Sequence, residues 1–242
     1  MNQNPKAFSR SATLLNMFAD RGVRGTQGSL RLEALLANSA LYTFQVNDNQ
    51  NKLVTEIRLR QGDAFIPTKI GMYIKKAGTS TSPTDAEQTV SILRTYPNST
   101  IFTAASEAAN LAALYNSRLI TTVNSVNLTE FIDTTQFLRV GVAQQGLVVS
   151  QLATPVTPAA YLRDEWTGPD YGMIPFQQDL CFNGLDNQTL TLQLPAAVNC
   201  AGTSSNNYAV IIFRGVMLPN GAKVAQDKSI RSFLKQGVEM SR

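Results

Sequence analysis

This sequence predicts a mainly β chain, folded as an antiparallel sandwich with helical ends. Three observations point there. Apolar and polar residues alternate over many short runs that turn-forming residues separate. Charged residues are scarce, at 16%, while Asn, Gln, Ser and Thr are plentiful, a balance that suits neither disorder nor a coiled coil. A helical period appears near each terminus and in one Ala-rich central stretch. At 242 residues and 43% hydrophobic, the chain is long enough to bury roughly 70% of its unfolded surface in one β domain. It needs no metal or disulfide staple.

The strands follow in order. Ala40–Val46 alternates around Leu41, Phe44 and Val46. In Leu53–Arg60, Leu53, Thr55, Ile57 and Leu59 share one face, and the Asn/Asp-rich 47–51 makes the connection. Ala64–Lys75, rich in β-branched and aromatic residues, suits a long strand bent near Pro67 or Gly71. After a polar loop at Ala77–Glu87, further strands are expected at Thr89–Tyr96, Arg118–Val123, Glu130–Val140 and Leu147–Leu152. The clearest pair comes last: Gln188–Leu194 alternates Leu with Thr and Gln, and Tyr208–Leu218 is a long apolar run. Ala104–Tyr115 reads as an inserted helix with Thr103 as its N-cap. Ala153–Phe176, punctuated by four prolines, reads as a long loop.

Both ends read as basic and helical. Residues 1–31 carry +4, residues 222–242 carry +3, and the body between them carries −3. In Ser11–Asp20, Leu14, Leu15, Met17 and Phe18 cluster, and Gly22 and Gly25 then break the helix. At the far end Ile230, Phe233, Leu234 and Val238 fall on one helical face, with Lys228, Arg231 and Lys235 off it. The expected organisation is a basic N-terminal arm (1–28), a sandwich (29–221) and a basic amphipathic C-terminal helix (222–242). Candidate contact residues are Leu14, Leu15, Phe18, Arg21, Arg24, Ile230, Arg231, Phe233, Leu234 and Lys235. Two readings of them stand side by side. The helices dock on a neighbouring subunit, a nucleic acid or an anionic membrane, or each packs on its own domain.

Several classes of chemistry drop out. With no histidine in the chain, Ser-His-Asp and Cys-His nucleophile systems are excluded, as are histidine acid/base steps and histidine-based metal sites. No Walker A, G-x-G-x-x-G, G-x-S-x-G or C-x-x-C pattern is present. No enzyme activity, cofactor or metal is expected. Cys181 and Cys200 read as two buried thiols that oxidation would be needed to pair. The acidic and aromatic stretch Asp164, Glu165, Trp166, Asp170 and Tyr171 is the alternative ligand loop, for a sugar or a cation. A solvated loop with one packed Trp explains it more cheaply. No signal peptide and no membrane span is seen.

Many strands with long polar loops and one short helix point to a β-sandwich of jelly-roll type. The layout resembles that of the jelly-roll major capsid proteins of tailless bacteriophages. The arm Phe8–Gly28, the body from Ser29 to Leu218 and the helix Asp227–Val238 carry the resemblance. It implies a coat protein that self-assembles into an icosahedral shell within a virion, made in the host cytoplasm. Its partners would be copies of itself, other virion proteins, and the viral genome or an internal membrane reached through the basic ends. The alternatives are a carbohydrate- or receptor-binding sandwich module and an accessory head or tail structural protein.

Overall fold

The first and last long strands of the chain lie side by side, and the pairing nests inward from there. The computed structural model describes residues 5–48, 52–77, 93–97, 102, 106–127, 132–139, 172–176, 180–202 and 205–239. In chain order the elements are α1 (Pro5–Ala19), β1 (Thr26–Leu35), β2 (Asn38–Gln45) and β3 (Ala64–Ala77). Then come α2 (Glu107–Ala112) with a 3-10 turn at Ala113–Tyr115, β4 (Arg118–Val123), β5 (Val126–Asn127), and β6 (Ile132–Asp133) with a 3-10 turn at Thr134–Phe137. The chain closes with β7 (Met173–Pro175), β8 (Phe182–Asn183), β9 (Gln188–Asn199), β10 (Asn206–Leu218), α3 (Ala222–Ala225) and α4 (Lys228–Glu239).

Two antiparallel sheets form a sandwich. In the first the order is β1-β10-β3, and β7 and β8 share the far edge of β3, opposite Lys69–Gly71 and Ala64–Phe65. In the second the order is β2-β9-β4, and β5 and β6 share the far edge of β4. Thus β1 pairs with β10, β2 with β9, β3 with β7 and β8, and β4 with β5 and β6. The strands are nested pairs of one long ribbon folded over on itself.

The core between the sheets follows from alternation. Leu190, Leu192 and Leu194 of β9 point inward, while Thr189, Thr191 and Gln193 between them are only partly covered. Leu30, Phe44, Met72 and Leu119 meet them from the other strands. Phe213 packs edge-on to Phe176 and Phe182, with ring centroids 5.7 and 5.3 Å away. β3 and β10 read as continuous apolar runs because the first sheet is covered on both faces. Its outer face carries a second cluster under the terminal helices and a third, around Tyr73, Tyr208 and Val210, packed by Leu53 and Leu93. The second sheet leaves its outer face to solvent, with Thr43 and Arg118 exposed.

The bend expected near Pro67 is a bulge. The β3–β10 register shifts between Arg214 and Gly215, opposite Pro67, where the missing proline N–H interrupts the ladder. A Cβ on Gly215 would lie 2.0 Å from the Ile66 carbonyl oxygen, so only glycine fits there.

The expected strands at Ala40–Val46, Ala64–Lys75, Arg118–Val123, Gln188–Leu194 and Tyr208–Leu218 correspond to β2, β3, β4, β9 and β10. Leu53–Arg60 does not form a strand. Val54 and Ile57 are 84% and 50% exposed while Glu56 is buried. The Glu56 carboxylate accepts from the backbone N–H groups of Leu53 and Glu33, which turns the segment around itself and defeats the alternation. Among the described residues its ladder pairing is limited to two isolated bridges, Ile57 with Arg31 and Leu59 with Asn47. In Glu130–Val140, strand gives way to a 3-10 turn after Asp133, whose Oδ1 accepts from the Thr135 N–H at 3.0 Å. The central helix starts later than expected, after Ser106, with Glu107 in its first turn. β1 begins at Thr26, ahead of the expected boundary, and Met173–Pro175 forms β7 inside the expected loop. Of Thr89–Tyr96, residues 93–96 are described, and Arg94 bridges Ile74. Leu147–Leu152 lies outside the described residues.

Candidate functional site

Both terminal helices lie on the outer face of the first sheet and pack against each other. In α1, Leu14 and Phe18 are one turn apart and fully buried. The helix ends with Gly22 at φ +79°: Gly22 N–H donates to the Ala19 carbonyl and Val23 N–H to the Phe18 carbonyl. This is a Schellman closure, sealed by Val23 packing in the same cluster as Phe18. Leu14 and Phe18 meet Ala64, Ile66, Cys181, Leu218 and, from the other end of the chain, Ala225 and Ile230.

α4 is capped by Asp227, whose Oδ1 accepts from the Ser229 N–H at 2.8 Å and the Ser229 hydroxyl at 2.6 Å. Arg21 ties the two helices together. It donates through Nη1 to the Met17 carbonyl at 3.0 Å and through Nη2 to Ser229 Oγ at 2.7 Å, and its Nε lies 3.6 Å from Asp227 Oδ2. One guanidinium thus satisfies a carbonyl at the C-terminus of α1 and neutralises the cap of α4. The Ser229 hydrogen bonds, with the Arg21 charge added, hold the Asp227 carboxyl below the usual aspartate range. Farther along α4, Arg231 reaches Asp186 at 3.4 Å, and Asp186 also accepts from Asn124 Nδ2 at 2.9 Å. That anchors α4 to the β4–β5 and β8–β9 turns.

The candidate contact residues therefore separate. Leu14, Phe18 and Ile230 are fully buried in the chain's own helical layer, and Leu15 and Phe233 are half-buried against the same cluster. Arg21 and Arg231 serve as clamps. Arg24 is exposed. Leu234 and Lys235 lie on α4, with their side chains outside the described set. The ligand-loop residues Asp164, Glu165, Trp166, Asp170 and Tyr171 lie outside the described residues.

A buried ion network escaped the sequence reading. The Glu33 carboxylate, on the outer face of β1, accepts from Lys75 Nζ, from Arg31 Nε at 2.7 Å and from the Thr55 hydroxyl at 2.7 Å. Beside it, Arg58 grips Glu56 at 2.8 Å. Lys75 Nζ also sits 4.8 Å from the Tyr208 ring centroid. Glu33 between Leu32 and Ala34 in β1, and Lys75 directly after the apolar run of β3, were the only signals. The network fastens the 52–60 loop over the first sheet.

Cys181 belongs to the helical-layer cluster and Cys200 to the sandwich core, and both are free thiols. Burial pushes the Cys181 thiol up to about 12. Among the described residues no three His, Cys, Asp or Glu side chains group as metal ligands, and no helix is long and apolar enough to cross a membrane.

No protein-family profile matches this chain, and no curated protein matches it.

Proposed function

We propose that this protein is a self-assembling shell subunit, a major capsid protein of the kind its layout resembles, built on a jelly roll. The nested strand pairing carries the reading. First strand with last, second with next to last, and so inward to β4 with β5 and β6 is the connectivity of a ribbon rolled into two facing four-position sheets. A fold of this type hosts coats, lectins and cupins. A cupin-type histidine metal site is excluded, because the chain has no histidine. The features that favour a shell over a lectin are the helical layer backing one sheet and the largely polar outer face of the other. Polar faces of that kind suit subunits that tile a closed surface.

Sizing the purified protein by light scattering and negative-stain microscopy tests the reading. Regular closed particles or large uniform oligomers are expected. A small oligomer at every concentration, together with glycan binding lost on Trp166→Ala, would replace it with the carbohydrate-binding module. Incorporation only onto preformed heads or tails would make the chain an accessory structural protein.

A further inference from the structure

We infer that Lys76 and Asn207 join covalently within the folded chain, through an amide bond between Lys76 Nζ and Asn207 Cγ that Glu107 catalyses with loss of ammonia. The inference stands apart from the shell reading, since it concerns one chain alone.

Placement comes from the first sheet. Lys76, near the end of β3, and Asn207, near the start of β10, are direct partners in the antiparallel register, where side chains on one face lie within reach of each other. Alternation turns both to the core side, away from Lys75 and Tyr208 on the outer face. Glu107, in the first turn of α2, meets them there, and Leu111 of the same helix packs in the core. Its Oε2 accepts from Lys76 Nζ at 3.4 Å, and its Oε1 accepts from Asn207 Nδ2 at 2.8 Å. The two oxygens of one carboxylate thus face the two nitrogens that the reaction exchanges.

The amide is held in a defined way. Asn207 Nδ2 also donates to the Cys200 carbonyl at 3.2 Å, so both its N–H groups are committed and the nitrogen end is fixed. Its Oδ1 is buried and has no hydrogen-bond partner among the described residues. A bare buried acceptor is rare in a native interior. Here it means that attack at Cγ breaks no hydrogen bond at the oxygen. Little water reaches the three groups: Asn207 is buried, and the side chains of Glu107 and Lys76 are 2% and 25% exposed. The Phe102 ring centroid lies 5.6 Å from Nζ.

The chemistry balances within these side chains. Nζ gives a proton to Glu107 Oε2 and attacks Cγ as a free amine. The Cγ–Nζ bond forms and the Cγ–Nδ2 bond breaks. Glu107 carries two protons in turn from Nζ to the departing nitrogen, which leaves as ammonium, and returns to a carboxylate. Nothing is oxidised or reduced. An amide resists amines in free solution; held orientation beside a proton carrier is what lowers that barrier. The product ties together β3 and β10, the two longest strands.

Intact-mass spectrometry of the purified full chain tests this. Wild type is expected to be lighter than its sequence mass by one ammonia. Its tryptic digest should contain a branched peptide joining Lys76 to Asn207, with no cleavage after Lys76. Lys76→Arg and Glu107→Gln should show the full sequence mass and no branched peptide, with circular dichroism reporting that each is folded. Lys52→Arg, at an exposed lysine, should stay linked. Full sequence mass in wild type would overturn the inference, and that reading needs no variant to fold. So would loss of ammonia without the branched peptide, as an asparagine succinimide gives, or a branched peptide that persists in Glu107→Gln.

Discussion

Arg21 and Asp227, near opposite ends of the chain, meet at 3.6 Å across the junction of α1 and α4, and both engage Ser229. The contact turns two terminal helices into a single layer. It also makes that layer sensitive to acid. The Asp227 carboxyl is held low in the folded protein, so the unfolded chain binds its proton at higher pH. Its contribution to stability is full above about pH 3.9 and fades as pH falls through the lower folded value. Urea midpoints of wild type and Asp227→Asn should differ at pH 6 and converge as the pH is taken toward 2. A difference independent of pH would assign the effect to the cap geometry alone.

Phe18 is expected to behave as a core residue of the single chain. Phe18→Ala should lower unfolding free energy by about 3–5 kcal/mol, measured by urea titration at a concentration too low for assembly. A change confined to assembly, with the unfolding midpoint intact, would show that α1 serves a neighbour.

The thiols report on the same layer. Cys181 and Cys200 are buried, and burial pushes the Cys181 thiol up to about 12, so a colourimetric thiol reagent at about pH 8 should find neither in the native protein. Both should react once urea unfolds it. Deleting residues 1–25 uncovers the Cys181 cluster, and that thiol should then react without denaturant.

The Glu33–Lys75 pair gives a prediction of opposite kind. Lys75→Met leaves a buried carboxylate short of one cation and should cost about 3–5 kcal/mol. Glu33→Gln combined with Lys75→Met should recover a large part of that loss, since it removes the stranded charge. A double-mutant cycle by urea unfolding measures the coupling. Additive losses would mean that Arg31 and Thr55 alone hold Glu33.

Sequence alone located β4, β9, β10 and α4, because their signal is local: a period of 2 with one buried face, a continuous apolar run, or a period of 3.6 with one apolar stripe. It misjudged Leu53–Arg60, where alternation was real but a single carboxylate, Glu56, captured two backbone donors. It also exposed the apolar stripes of the terminal helices without saying what would cover them. An amphipathic face states that something must be buried against it, not which surface supplies the cover. The tertiary structure decided that. The outer face of β3 and β10 is apolar at Ile66, Val216 and Leu218, and α1 and α4 pack there with Leu14, Phe18 and Ile230. The pairing of β1 with β10 is likewise non-local, joining Thr26–Leu35 to Tyr208–Met217 across almost the whole chain. The +4 and +3 of the two ends were legible as numbers from the start. Only the folded chain, with Arg21 beside Asp227, brought them together.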